Sequence, residues 1–197
     1  MVSDPIPPNA ERPSRPELAA LPEDVVGEIL DGDLVVTPRH DAACARVTQV
    51  LGQALRGSGS TPDPFLHGFW VFAASTLRLG PHLVVPDLAG WRRQRMPKRA
   101  DRPPTGLVPD WVCEIISPTT ALMDRTRKLR IYASFGVCWA WLLDPQYRTI
   151  EVMWLEGDEW VLVGNFGGNQ HLPIPPFHSL NLDLTALWEA APVPPAP

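Results

Sequence analysis

The sequence predicts an α/β or α+β domain, a mixed central β-sheet flanked by helices. Three observations carry this. Strand-like and helix-like stretches follow one another as helix, two strands, helix, two strands, then strand, helix and further strands, an order that layered α and β domains show. Two runs, 111–116 and 137–143, are almost continuously apolar, as expected for strands buried inside a sheet. Hydrophobic residues are 45% and charged residues 20% of 197, ordinary for one globular domain with a sizeable core. That domain is expected over 17–190, between proline-rich tails at 1–16 and 191–197.

Each element has a local reason. Residues 17–21 can make a short helical turn. Residues 25–30 read as a strand that turns at Asp31-Gly32-Asp33 and returns as a second strand over 34–37. Residues 41–56 place Val47, Val50, Leu51, Ala54 and Leu55 on one helical face, and Gly57 stops that helix. After a loop at 58–67, residues 69–79 and 82–85 read as two strands joined at Gly80-Pro81. Pro97, Pro103 and Pro104 keep 91–108 a loop. Residues 111–116 form a strand, and alternation puts Val112, Glu114 and Ile116 on one face. Ser117, Thr119 or Thr120 can cap a helix over 121–135 that Gly136 ends. A strand at 137–143 follows, then a hairpin of 149–155 and 160–163. A proline-broken stretch at 172–182 and a short helix at 184–188 complete the domain.

Charge and cysteines narrow the function classes. Cys44, Cys113 and Cys138 are odd in number and far apart. They suit neither a disulfide framework nor a zinc site, and they suit a reducing, cytoplasmic setting. The opening residues show no apolar signal region, and the longest apolar run is too short to span a bilayer. A net charge of -5 argues against a generally basic nucleic-acid binder. Yet residues 92–130 hold ten basic and four acidic side chains, a local surplus of six. Such a patch can focus a polyanion on one face, or it can be a solvated loop and helix face.

The chemistry is expected between residues 84 and 136. Asp87 ends one apolar run and Glu114 sits inside another. Two carboxylates can hold a divalent metal through hard oxygen ligands. A glutamate amid Val112, Cys113, Ile115 and Ile116 needs a metal or a cationic partner, since an unpaired buried charge is costly. Lys98 and Lys128 are the only lysines beside fifteen arginines. Lys128 follows Asp124 by four residues, which suits a routine surface ion pair. It also precedes Tyr132 by four, which can turn it toward the sheet. Beside a metal, such a lysine can position the attacking water or stabilise charge building up on a phosphate. Glu28 is either a solvent-facing strand residue or a third acidic group at that metal. His40, just before the first long helix, suits a cap or packing role better than a ligand.

Taken in order, Glu28-x-x-Asp31-Gly32, His40, Pro86-Asp87, Glu114-Ile115-Ile116-Ser117-Pro118, Asp124, Lys128, Tyr132, Gly136-Val137, Trp141 and Asp144-Pro145 resemble the Uma-type restriction endonucleases. That family is a branch of the PD-(D/E)xK nucleases. The resemblance implies a restriction-endonuclease-like fold and metal-dependent hydrolysis of DNA with Mg²⁺ or Mn²⁺. It implies Asp87 and Glu114 as metal ligands, the Ile115 carbonyl as a further one, and Glu28 as an outer or third acid. The superfamily lysine stands two residues after the glutamate, where this chain has Ile116; the branch supplies it from the next helix, as Lys128. Arg92, Arg93, Arg95, Lys98, Arg99 and Arg102 are then expected to contact phosphates. The rival reading is a non-catalytic module of the same fold that binds nucleic acid or a protein. Eight tryptophans, Trp139, Trp141 and Trp154 among them, suit a homodimer interface as well as a core.

Overall fold

The computed structural model describes residues 15–56, 68–96 and 106–191. The expectations for the tails beyond these, for the loop 58–67 and for Lys98, Arg99 and Arg102 lie outside the described residues. In chain order the elements are α1 (Arg15–Ala19), β1 (Val25–Leu30), β2 (Asp33–Pro38), α2 (Ala42–Arg56), β3 (Phe69–Ala73), β4 (Leu77–Leu79), β5 (His82–Val84), β6 (Leu88–Arg92) and β7 (Trp111–Ile115). Then come α3 (Ala121–Met123), a π turn (Asp124–Lys128) and α4 (Leu129–Ser134), which form one helical rod. β8 (Trp139–Asp144), β9 (Thr149–Glu156), β10 (Glu159–Gly167), β11 (His171–Ile174), β12 (Phe177–Asp183) and α5 (Leu184–Ala190) follow.

The main sheet runs β10-β9-β8-β7-β6-β3. It is mixed: β7 and β8 are parallel, joined through the helical rod, and every other neighbouring pair is antiparallel. A second sheet, β2-β1-β5-β4, stands beside it, and β11 and β12 form a hairpin.

Alternation along the strands builds a core on each face of the main sheet. Trp111, Cys113 and Ile115 of β7 join Trp141, Leu143, Ile150 and Val152 against α2 and α5. Val112 and Ile116 join Ala140, Leu142 and Trp91 against Leu129, Ile131 and Tyr132 of the rod and Leu30, Leu79 and Val84 of the second sheet. Each fully buried aliphatic side chain here contributes about 1.5–3 kcal/mol of transfer free energy. Glu114 therefore projects into the rod side of the core, on the face that the strand period assigns to it.

Four elements differ from the sequence reading. Residues 69–79 are two strands in different sheets, because Ala74 takes a left-handed φ of 43° and the chain changes sheets there. Residues 88–92 are a central strand where a loop was expected from Trp91 onward. Ala89 and Gly90 have weak strand propensity, but a Cβ at Gly90 would lie 3.0 Å from the Trp111 ring, so close packing selects glycine. β10 extends to Gly167, and the proline-broken 172–182 stretch contains the β11–β12 hairpin. Among the described residues no helix is long and apolar enough to cross a membrane.

Candidate active site

The site forms where β1, the β5–β6 connection, the end of β7 and the π turn meet. Pro86 and Asp87 connect β5 to β6, and the Asp87 carbonyl accepts from the Ala74 amide at 2.9 Å. The Asp87 carboxylate accepts from the Ile115 amide at 2.7 Å. Its other oxygen lies 3.0 Å from His40 Nε2. His40 is aimed there by the start of α2, where the Asp41 carboxylate caps the amides of Ala43 and Cys44 at 2.9 Å. The hydrogen bond to Asp87, assisted by a contact with Cys44, pushes the His40 pKa up to about 10. The imidazole is therefore a cation at neutral pH.

Glu114 is buried, and both its oxygens are engaged. Lys128 Nζ donates to Oε2 at 2.8 Å and Tyr132 Oη donates to Oε1 at 2.5 Å. Glu28 accepts from the Val85 amide at 2.7 Å and lies 3.4 Å from Lys128 Nζ. Asp124 is 3.6 Å from the same ammonium, and Thr120 hydrogen-bonds it. Lys128 also donates to the Val85 carbonyl at 3.3 Å.

Asp124 and Lys128 are thus not a surface ion pair. The Leu129 amide reaches back five residues to the Asp124 carbonyl. That π turn places both side chains on the buried face, and such turns recur at functional sites.

Glu28, His40, Asp87, Glu114, Asp124 and Lys128 all line one cavity of about 560 Å³. Glu23 and Arg39 line it too, so five carboxylates there face three cationic side chains. Burial pushes Glu114 and Asp124 up from the usual carboxylate range, and the carboxylates around them add to that. Burial alone would lower the Lys128 pKa, but Glu114, Glu28 and Asp124 outweigh it and raise it. Lys128 is a fixed positive charge.

The donor set fits a hard divalent cation, which oxygen ligands select and which would relieve the surplus of negative charge. Among the described residues, no three His, Cys, Asp or Glu side chains stand together as a ready metal cage. The oxygens are instead held by His40, Lys128, Tyr132 and backbone amides.

The basic loop lies elsewhere. Arg92 ends β6 and Asp87 precedes it, so they are about 17 Å apart by strand rise. None of Arg92, Arg93 and Arg95 lines the cavity. Buried Asp110 gathers two of them: its carboxylate accepts from the Arg92 amide at 2.8 Å and meets Arg95 Nη1 at 2.9 Å. Arg93 stacks over the Trp70 ring at 3.9 Å. On the rod, Arg125 pairs with Glu151, and Arg127 and Arg130 pair with Asp31.

Sequence reasoning did not assign Asp124 or Tyr132 to the site, and it left His40 a cap. The 124-128-132 spacing was the available signal for the first two.

No curated protein matches this chain. A solved structure described as "a putative nuclease belonging to DUF820 from Anabaena variabilis" is similar, with a TM-score of 0.68 and 23% identity, over 89% of this chain and 97% of that one. At that identity the likeness is one of fold, a mixed sheet flanked by helices. The model of the Uma2 family, described as "Putative restriction endonuclease", matches residues 15–186, a span that contains every cavity residue named above, and this chain belongs to that family.

Proposed function

We propose that this chain hydrolyses DNA phosphodiester bonds with a divalent cation, Mg²⁺ or Mn²⁺. One observation carries the reading: Glu28, Asp87, Glu114, Asp124 and the buried Lys128, from four separate segments, converge on one cavity. Asp87, Glu114 and the Ile115 carbonyl would hold the cation, with Glu28 as an outer acid. When bound, it would polarise the phosphate and lower the pKa of a water. Lys128, fixed as an ammonium, positions that water and stabilises charge on the phosphate. Glu28 and Asp124 keep Lys128 charged, and Tyr132 orients Glu114. His40 holds Asp87 and must release it for the cation to enter. Arg92, Arg93 and Arg95, with Lys98, Arg99 and Arg102, would contact phosphates farther along the duplex.

The engaged state of Asp87 and Glu114 favours a second reading, a non-catalytic module that binds nucleic acid. A plasmid-nicking assay separates the two. Nicking should require Mg²⁺ or Mn²⁺, while Ca²⁺, with its looser shell, supports binding without cutting. Glu114→Gln should abolish cleavage, and Lys128→Met should slow it by about 10²-fold or more. Equal cleavage by wild type and both variants would point to a contaminant. No cleavage by wild type on varied DNA and RNA would leave the binding module.

A further inference from the structure

We propose that the outer edge of β10 pairs with β10 of a second copy of this chain, antiparallel and across a two-fold axis near Val163. β10 closes one side of the main sheet, and among the described residues no strand covers it. An uncovered edge presents unpaired amides and carbonyls to any other strand. Proteins usually blunt such edges with lysine, proline, inward charge or bulges. β10, Glu-Trp-Val-Leu-Val-Gly-Asn-Phe-Gly, has no lysine, arginine or proline, and its one irregularity is a bulge between Leu162 and Gly164.

The edge is also apolar. Val161, Leu162 and Val163 are 42%, 58% and 46% exposed in succession. Trp154, the β9 partner of Val161, is 36% exposed and lies on the same face, while Leu162, the partner of Met153, lies on the other. Apolar side chains thus flank the edge on both faces, and exposed apolar surface of this kind marks an interaction site.

Charge selects the occupant and its direction. Exposed Glu156, Asp158 and Glu159 stand at the turn end of β10. Exposed Arg148 stands at the other end, next to Thr149, which pairs with Gly167. Parallel pairing of two copies would bring the two acidic ends together. Antiparallel pairing sets each acidic end against the partner's Arg148, and Val161, Leu162 and Val163 meet in the middle. The strand is about 30 Å long. A single paired edge lies at the small end of stable interfaces, about 1,200 Å², so micromolar dimerisation is expected, about 1–10 µM.

The test is sedimentation velocity of the full chain without metal or DNA, so its outcome is independent of the nuclease reading. Wild type should pass from monomer to dimer between about 1 and 100 µM. Leu162→Lys should weaken the dimer by about tenfold or more, with an unchanged melting temperature at concentrations where both are monomers, because the side chain is exposed there. Arg148→Glu and Glu159→Arg should each weaken it by about threefold, and the two together in one chain should restore it. Three outcomes overturn the proposal: a wild type monomeric throughout, which assigns the edge to another partner; a dimer that Leu162→Lys leaves intact; and an exchanged pair that fails to recover.

Discussion

Lys128 shows how residue identity and surroundings interact at this site. One ammonium, fully enclosed, meets Glu114, Glu28 and Asp124. Removing one partner of a buried ion pair strands the others, at about 3–5 kcal/mol. Lys128→Met should therefore lower stability by that amount in urea melts. Glu114→Gln should change it by less than about 1 kcal/mol or raise it, since one of several mutually repelling carboxylates is lost while a carbonyl remains for Tyr132. His40 adds a pH dependence. Its folded pKa is raised to about 10 from an ordinary 6.5. Between those values the folded state binds a proton that the unfolded state has released. Stability from the His40–Asp87 pair is thus complete below about pH 6.5 and is lost as pH climbs through about 10. His40→Ala should cost about 1.5–3 kcal/mol at about pH 6 and little at about pH 10.5. A constant cost across that range would show that packing, not charge, is what His40 supplies.

At the scale of elements, the π turn and β6 decide what faces what. A regular helix over 121–135 was legible from its capping candidates and from Gly136, and so was the Asp124–Lys128–Tyr132 spacing. The extra residue that turns Asp124 and Lys128 inward has no sequence signature, because it depends on the packing of the rod against β7 and the second sheet. The arginines of 92–130 were equally legible as a cluster, but their partners were not. Arg92 and Arg95 serve buried Asp110, so neutralising them mixes a folding effect with any effect on DNA. Arg93 stacks on Trp70. Arg93→Gln should flatten the salt dependence of DNA binding by about one unit of slope. It should also cost about 0.5–1 kcal/mol of stability through the lost stack on Trp70. An unchanged slope would assign this end of β6 to a role other than phosphate contact.

Across the whole molecule, the tryptophans divide between core and surface. Trp91, Trp111, Trp141 and Trp188 are fully buried. Trp111 and Trp141 meet edge to face at 5.2 Å, and both contact Phe177 of the terminal hairpin at 5.0 and 5.4 Å. Trp141 Nε1 also donates to the Pro175 carbonyl at 2.7 Å. This cluster ties β11 and β12 to the main sheet. Trp141→Ala should cost about 3–5 kcal/mol in urea denaturation, whereas Leu122→Ala should stay within about 0.5 kcal/mol. Leu122 is 79% exposed, which is why the contrast is expected.

The mixed sheet, the faces of β7, and Asp87, Glu114 and Lys128 as candidate groups are legible in the sequence alone. The sheet and the β7 faces follow from periodicity, Glu114 from the cost of burying charge, Asp87 from its place at the end of an apolar run and Lys128 from the scarcity of lysines, all readable along the chain. It took the packed molecule to show that Glu28 and Asp124 share the lysine, that His40 holds Asp87, and that the described arginines of the basic loop stand at the far end of β6. Those facts depend on which strands are neighbours and on one extra residue in a helix. Both are settled by packing between segments distant in sequence, and no local pattern records them.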